Sequence, residues 1–136
     1  MSWLLDTNVL SELRKGPTAN GKVRKWASST IEDRHFISVL SLGEIRKGIE
    51  LLRKKSPSQC PAFERWLTQL HSDYADVVLP VSEEIAERWG RLMAIRTLPV
   101  IDGLIAATAI THGLTIATRN ATDFELPGLK AINPFD

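Results

Sequence analysis

Five short apolar segments alternate with helical segments along the chain, and this alternation restricts the fold more than any other feature. The candidate strands are residues 2–5, 36–39, 77–79, 114–117 and 129–132. Strands that alternate with helices of about 10–15 residues usually pair in parallel, with helices covering both faces of the sheet. The sequence therefore predicts an α/β fold with a central, mostly parallel sheet of four to five strands. No linker or internal repeat interrupts the pattern, so we expect residues 1–136 to form a single domain.

The helix starts are predicted from residues that favour capping. Thr7 or Asn8 is suited to cap the first helix, and Ser41 is suited to cap the longest one. Glu44 follows Ser41 at the spacing of a capping box, near the start of that helix. Asp102 is expected directly before a helix that is rich in small residues. Each of these positions follows a predicted strand or turn. The predicted helix starts therefore also bring polar side chains to the ends of the strands.

The composition is that of an ordinary globular protein, and it excludes several kinds of site. Hydrophobic residues make up 43% of the 136 residues, which is enough for a substantial core. Cys60 is the only cysteine, which rules out an internal disulfide, and the three histidines are too scattered for a zinc site. The chain shows neither a secretory leader nor the run of about 20 apolar residues that a membrane span needs. We therefore expect a cytoplasmic protein with no membrane partner.

Positive charge is concentrated in one part of the chain, although the formal net charge is only +1. Residues 14–55 contain eleven of the 17 Lys and Arg residues but only four of the 16 acidic residues. Such a segment is suited to contact a phosphate backbone. It is equally consistent with solvated helix faces, and the charge distribution alone does not decide between the two interpretations.

Four acidic side chains follow strands or begin helices at what is predicted to be one edge of the sheet. They are Asp6, Glu44, Asp102 and Asp123. Ligands of parallel α/β sheets bind at the carboxyl ends of the strands, so these carboxylates are expected to lie together. Carboxylate oxygens without His or Cys favour Mg²⁺ or Mn²⁺, which activate water and polarise phosphodiesters. The chemistry predicted from the residues is hydrolytic phosphoryl transfer.

Each of these four acids also has a purely structural explanation. Asp6 and Asp102 are common residue types for helix caps, and Glu44 is explained as the capping-box partner of Ser41. Asp123 is explained as an ordinary turn residue. The functional interpretation rests on the agreement of four separate segments, each of which brings an acid to the same edge.

Four motifs, in order and covering nearly the whole chain, make the sequence similar to a known family. They are L-L-D-T-N-V-L-S-E-L at 4–13, S-L-G-E-I-R-K-G-I at 41–49, L-P-V-I-D-G-L-I-A-A-T-A at 98–109 and I-A-T-R-N-A-T-D-F at 116–124. The chain resembles the PIN domain, and more closely the VapC and FitB-like ribonuclease toxins of bacterial toxin–antitoxin pairs.

The resemblance implies a fold, an activity and partners. It implies a three-layer α/β/α sandwich and a Mg²⁺- or Mn²⁺-dependent endoribonuclease, the toxin component of a type II toxin–antitoxin system. It also implies RNA as the substrate, a cognate antitoxin whose tail fills the acidic pocket, and a homodimer. Operator DNA is expected to be bound only through the antitoxin complex.

The resemblance also implies roles for individual residues. Asp6 and Asp102 are expected to ligate the metal, Glu44 to orient or deprotonate the attacking water, and Asp123 to complete the negative field. The supporting residues expected around these acids are Thr7, Asn8, Thr118 and Asn120. PIN domains often have an acid where this chain has Asn120. Whether Asn120 or Asp123 fills the fourth position, and whether the site holds one or two metals, therefore stays open at this stage.

Two other functions remain to be weighed. The D-T-N motif also resembles the start of haloacid-dehalogenase-type phosphatases, in which a second Asp follows the nucleophile by two residues. Here that position is Asn8, and no suitably placed lysine is evident, which disfavours a phosphatase. The alternative that stays open is a catalytically weak PIN-like module that binds nucleic acid or an antitoxin. Metal-dependent RNA cleavage distinguishes the nuclease from this module.

Overall fold

A computed structural model describes residues 1–136 as five strands and six α-helices. The strands are β1 (Ser2–Leu5), β2 (Arg34–Ser38), β3 (Val78–Leu79), β4 (Thr115–Ala117) and β5 (Lys130–Ile132). The helices are α1 (Thr7–Leu13), α2 (Gly21–Ser29), α3 (Val39–Lys55), α4 (Cys60–Asp73), α5 (Glu83–Ile95) and α6 (Val100–His112). Short 3₁₀ turns occur at Gly16–Thr18, Pro57–Gln59 and Ala121–Phe124.

All five strands pair in parallel, in the order β3-β2-β1-β4-β5, which confirms the predicted fold class. Leu4 on the central strand is paired with Phe36 on one side and Ile116 on the other. The chain builds outward from β1 to β3 and then continues on the opposite side of β1 with β4. The strand order therefore reverses between β1 and β4, and ligands of open parallel sheets bind in the crevice at such a point.

Alternate residues of β1 pack on opposite faces of the sheet. Leu5 belongs to a buried cluster with Ile45 and Ile49 of α3, whereas Leu4 belongs to a second cluster with Ile105 of α6. This alternation follows from the pleat of a strand, which points successive side chains to opposite sides. Burial on both faces explains why the strand sequence is continuously apolar, as central strands of parallel sheets are.

Three predicted helix starts are wrong by one to three residues. The longest helix begins at Val39, where the Ser38 hydroxyl accepts a hydrogen bond of 3.0 Å from the backbone N–H of Leu40. Ser38 is the cap because β2 runs directly into α3, so its last residue keeps extended backbone angles. Ser41 is instead fully buried inside the first turn, and its hydroxyl has no hydrogen-bond partner.

The other two starts differ in the same manner. Asp6, rather than Thr7 or Asn8, caps α1, because its carboxylate accepts from the first helical N–H at 2.8 Å. Helix α6 begins at Val100 after Pro99, so Asp102 lies within its first turn and not before the helix.

Helices α5 and α6 pack closely through a glycine. A Cβ atom at Gly103 would lie 2.8 Å from Met93 Sδ and 2.9 Å from Trp89 Nε1. The small residues of α6 therefore permit a close approach of the two helices. No single helix has both the length and the apolar character to cross a membrane; α5 and α6 meet those criteria only as a pair, across a bend of 115°.

Gly103→Ala is expected to lower the free energy of unfolding by about 1–3 kcal/mol, because the added methyl group overpacks this contact. Gly90→Ala on α5 is the matched control, since nothing lies within 4 Å of a Cβ there. That control should be neutral or stabilising by up to about 1 kcal/mol, because alanine favours a helix interior. Urea unfolding of both variants measures the difference. Equal stability of Gly103→Ala and the wild type would contradict the close packing.

Candidate active site

Asp6 lies at the carboxyl end of β1 and is held by several hydrogen bonds. Its backbone N–H donates to the Ala117 carbonyl at 3.0 Å, which continues the pairing of β1 with β4. Its Oδ1 accepts from the Thr7 N–H, and its Oδ2 accepts from the Thr118 hydroxyl, both at 2.8 Å. The residue is only 6% exposed. Asp6 is therefore a helix cap whose second oxygen also belongs to a polar network at the sheet edge.

Thr118 joins the end of β4 to the start of α1. Its hydroxyl accepts hydrogen bonds from Asn8 Nδ2 at 3.3 Å and from the Asn120 N–H at 3.1 Å. Asn8 also donates to Asp6 at 3.4 Å and accepts from the Arg119 N–H at 3.0 Å. These bonds connect the two strand ends that flank the reversal of strand order.

Glu44 lies in the second turn of α3, where its carboxylate accepts from the Thr7 hydroxyl at 2.7 Å. Because Ser38 caps this helix, the explanation of Glu44 as a capping-box partner of Ser41 is wrong. Thr7 instead links Glu44 to the helix that Asp6 begins. This pair is separated by 37 residues in sequence and fixes the direction of the Glu44 side chain.

Asp102 faces the other three acids without a compensating hydrogen bond. Burial raises the pKa of its carboxyl, and the charges of Asp6, Glu44 and Asp123 raise that pKa further, in that order. Its position in the first turn of α6 places it near the positive end of the helix dipole, which offsets a part of this repulsion. The structure thus brings the four predicted acids together at one edge.

Asp123 and Asn120 stand at the exposed side of this edge. Asp123 lies in the 3₁₀ turn that follows β4, and Asn120 directly precedes that turn; the Asp123 N–H donates to the Asn120 carbonyl at 2.9 Å. Asp123 is exposed, and its charge is the last of the three that raise the pKa of Asp102. A carboxylate is thus present near the fourth position even though residue 120 is an amide.

An apolar groove leads away from Glu44 and was not evident in the sequence. It has a volume of about 310 Å³, with Thr7 and Glu44 at its polar end. The remaining lining residues come from α1, α3 and α4: Ser11, Ile45, Gly48, Ile49, Leu52, Phe63 and Trp66. Only the spacing of apolar residues on α3 and α4 hinted at this groove, and that spacing also fits ordinary core packing.

The basic segment 14–55 is partly neutralised within the structure. Arg46 and Arg53 form ion pairs with Glu50 and Glu64, at distances from 2.6 to 3.2 Å. The carboxylates raise the pKa of the Arg46 guanidinium, with Glu64 as the main cause. The solvated-face interpretation therefore applies to this part of α3.

The model of the PIN domain matches residues 3–126 of this chain. The chain belongs to the PIN-domain family. It is 32% identical to Toxin FitB of Neisseria gonorrhoeae, over 97% of each protein. It is 31% identical to VapC ribonuclease Y4jK of Sinorhizobium fredii, over 98% of this chain and 97% of that protein. The crystal structure of FitAcB from Neisseria gonorrhoeae superposes with a TM-score of 0.84 at 31% identity, covering 98% of each chain. The family resemblance and the three-layer fold predicted from the motifs are thereby confirmed.

The donor set of this PIN domain fits a hard divalent cation with bound water. The acids supply only oxygen ligands. Burial raises the pKa of Asp102, and the negative charge of the other three acids, which a cation would neutralise, raises it further. No three His, Cys, Asp or Glu side chains converge into a ready-made metal cage. Mg²⁺ commonly uses one or two carboxylates and retains several waters, whereas structural zinc requires four protein ligands. Asp6 and Asp102 with water therefore suit Mg²⁺ or Mn²⁺ and do not suit zinc.

Asp102→Asn is expected to stabilise the metal-free PIN domain at pH 7. A carboxyl whose folded-state pKa is raised opposes folding once the pH exceeds its unfolded-state pKa, and the neutral amide removes that cost. The gain is expected to be no more than about 1 kcal/mol after allowance for solvent screening. Urea unfolding in EDTA measures it, with the exposed Asp123→Asn as the control, for which a smaller gain is expected. A destabilised Asp102→Asn protein would contradict the repulsion inferred for this site.

Proposed function

We propose that this chain is a single PIN domain that cleaves RNA as a Mg²⁺- or Mn²⁺-dependent endoribonuclease. The observation that supports this activity most is the proximity of Asp6, Glu44 and Asp123 to Asp102, whose pKa is raised by burial and then by these three charges. The similarity to proteins named as a VapC ribonuclease and a FitB toxin supports RNA as the substrate and a toxin as the biological role.

Asp6 and Asp102 hold the cation in this proposal. A divalent ion held by these residues would polarise the scissile phosphodiester and would lower the pKa of a bound water molecule. Thr118 keeps Asp6 oriented through the 2.8 Å hydrogen bond, and the Thr7 N–H fixes the other carboxylate oxygen. The orientation of the Asp6 carboxylate is therefore fixed before any substrate binds.

Glu44 orients or deprotonates the attacking water. The 2.7 Å hydrogen bond from Thr7 holds one of its oxygens and leaves the other available to accept from water. Asp123 adds negative charge at the exposed side, where Asn120 offers an amide oxygen in place of a carboxylate. Hydrolysis breaks one phosphodiester bond and adds water across it, so the proton accepted by Glu44 returns to the leaving oxygen or to solvent.

The proposed setting is the cytoplasm, with a cognate antitoxin as the regulator. We propose that the antitoxin tail covers the acidic edge, that the toxin forms a homodimer, and that operator DNA is contacted through the antitoxin. The similarity to the FitAcB structure supports the proposal that this chain is a toxin with an antitoxin partner. In this proposal the chain is the toxin of a type II toxin–antitoxin pair, and its antitoxin inhibits it.

Asp6→Asn is expected to lower RNA cleavage at least about a thousand-fold with the fold intact, because it removes a metal-ligand charge at nearly equal volume. The assay compares the purified variant with the wild type on total cellular RNA, in Mg²⁺, Mn²⁺ or EDTA. Asp76→Asn, an exposed acid before β3, is the matched control and should cleave like the wild type.

Discrete, metal-dependent products from the wild type and Asp76→Asn alone would support the nuclease. Cleavage by Asp6→Asn at the wild-type rate would contradict the proposed role of Asp6 as a metal ligand. No cleavage by any of the proteins, with antitoxin shown to be absent, would favour the catalytically weak binding module instead.

Asn120→Asp is expected to retain activity and to bind Mn²⁺ more tightly, because it adds a carboxylate at an exposed position beside the site. Calorimetric titration with Mn²⁺ and the cleavage assay measure the two effects. A large loss of cleavage would show that the amide itself is needed.

A further inference from the structure

The last residues of the chain contact the loop that follows β4. Asn133 Nδ2 donates to the Arg119 carbonyl at 3.0 Å, and Arg119 Cζ lies 4.0 Å from the centroid of the Phe135 ring. This segment lies beyond residues 3–126, which match the PIN model.

The C-terminal segment is itself held in a defined conformation. Asn133 Oδ1 accepts from the Phe135 N–H at 2.9 Å, and the Phe135 ring packs at the border of the buried cluster that contains Leu5. The Thr118 N–H donates to the Ile132 carbonyl at 3.0 Å, which continues the pairing of β4 with β5 to the end of both strands. The segment is thus a fixed support for the loop.

Arg119 is anchored beside the acidic site through its backbone. Its N–H donates to Asn8 Oδ1, and Asn8 Nδ2 reaches Asp6 at 3.4 Å. Its guanidinium extends along α1 and lies 3.9 Å from Glu12. Glu12 is six residues beyond Asp6, which corresponds to about 9 Å along the helix axis. That displacement suits a phosphate that flanks the scissile one better than the scissile phosphate itself.

The guanidinium of Arg119 remains available to a ligand. Glu12 already accepts hydrogen bonds from the Asn20 N–H at 2.9 Å and from Lys15 Nζ at 3.1 Å, so its 3.9 Å contact with Arg119 is a weak one. The Arg119 side chain is 57% exposed. Stacking on Phe135 occupies one face of the guanidinium and leaves its N–H edge free to donate to a phosphate.

We propose that Arg119 binds an RNA phosphate adjacent to the scissile bond and that Phe135 and Asn133 are its positioning residues. Phe135 orients the guanidinium by packing against one of its faces, and Asn133 fixes the backbone of Arg119. This inference rests on the proposed ribonuclease function for its biological meaning. The binding of RNA by Arg119 is nevertheless measurable without cleavage.

The binding test uses fluorescence anisotropy of a short, fluorescein-labelled single-stranded RNA in EDTA, over a range of salt concentrations. Arg119→Ala should weaken binding by about tenfold and reduce the slope of log affinity against log salt by about 0.7, as expected for one lost phosphate contact. Phe135→Leu keeps an apolar side chain but removes the aromatic face, and should weaken binding by about two- to fivefold. Phe135→Tyr keeps that face and should bind like the wild type.

A double-mutant cycle separates positioning from a general structural role. If Phe135 acts through Arg119, then Phe135→Leu should have no further effect on affinity in the Arg119→Ala protein. In the cleavage assay, both single variants should raise KM and leave kcat nearly unchanged. Asn133→Ala should raise KM in the same direction, and Asn133→Asp, which lacks the amide donor, should not restore it.

Several results would overturn this inference. One is that the losses of RNA affinity in Phe135→Leu and Arg119→Ala multiply in the double variant. Others are that the single variants lose kcat at constant KM, or that Phe135→Tyr loses as much RNA affinity as Phe135→Leu. RNA affinity of Arg119→Ala equal to that of the wild type would also overturn it. Failure of the proposed function looks different, because the wild type would then bind RNA in an Arg119-dependent manner without cleaving it in Mg²⁺ or Mn²⁺.

Discussion

The burial of Asp102 beside the charges of Asp6, Glu44 and Asp123 is the constraint on which the rest of the site depends. The strand order reverses between β1 and β4, and this reversal opens the crevice in which the acids meet. Hydrogen bonds from the Thr7 N–H and the Thr118 hydroxyl hold both oxygens of Asp6 there. Asp102 has no such hydrogen bonds, and its burial together with the charges of the other three acids raises its pKa. A divalent cation bound there, as we propose, would offset that charge.

The hydrogen bonds around the acids divide the site into a fixed part and an adaptable part. Asp6, Thr118 and Asn8 form the fixed part, since each contacts the others across the ends of β1 and β4. Asp123 lies on an exposed turn and has no comparable network. We infer that Asp6 is oriented before the substrate arrives, whereas the exposed side adapts to it. Preorganised charge of this kind contributes more to catalysis than charge that must reorganise.

The sheet and the edge position of the acids followed from the sequence, because apolar runs and turn residues are local signals. Helix starts were less predictable: Ser38 rather than Ser41 caps α3, because the end of β2 decides which serine has extended backbone angles. The hydrogen bonds between Thr7 and Glu44, and between Asp6 and Thr118, join residues 37 and 112 positions apart. No local pattern specifies such pairs. The contact of Phe135 with Arg119 was missed for the same reason.

The most direct test of the central claim is the location of Mn²⁺ in crystals of the antitoxin-free protein, by anomalous scattering. The proposal predicts a peak between the carboxylates of Asp6 and Asp102, with water completing the coordination and Glu44 facing that water. The same crystals of Asp6→Asn should lose the peak. A strong peak elsewhere on the wild-type protein, or none at the acidic edge when Mn²⁺ is saturating, would contradict the claim that these carboxylates form a metal-dependent active site.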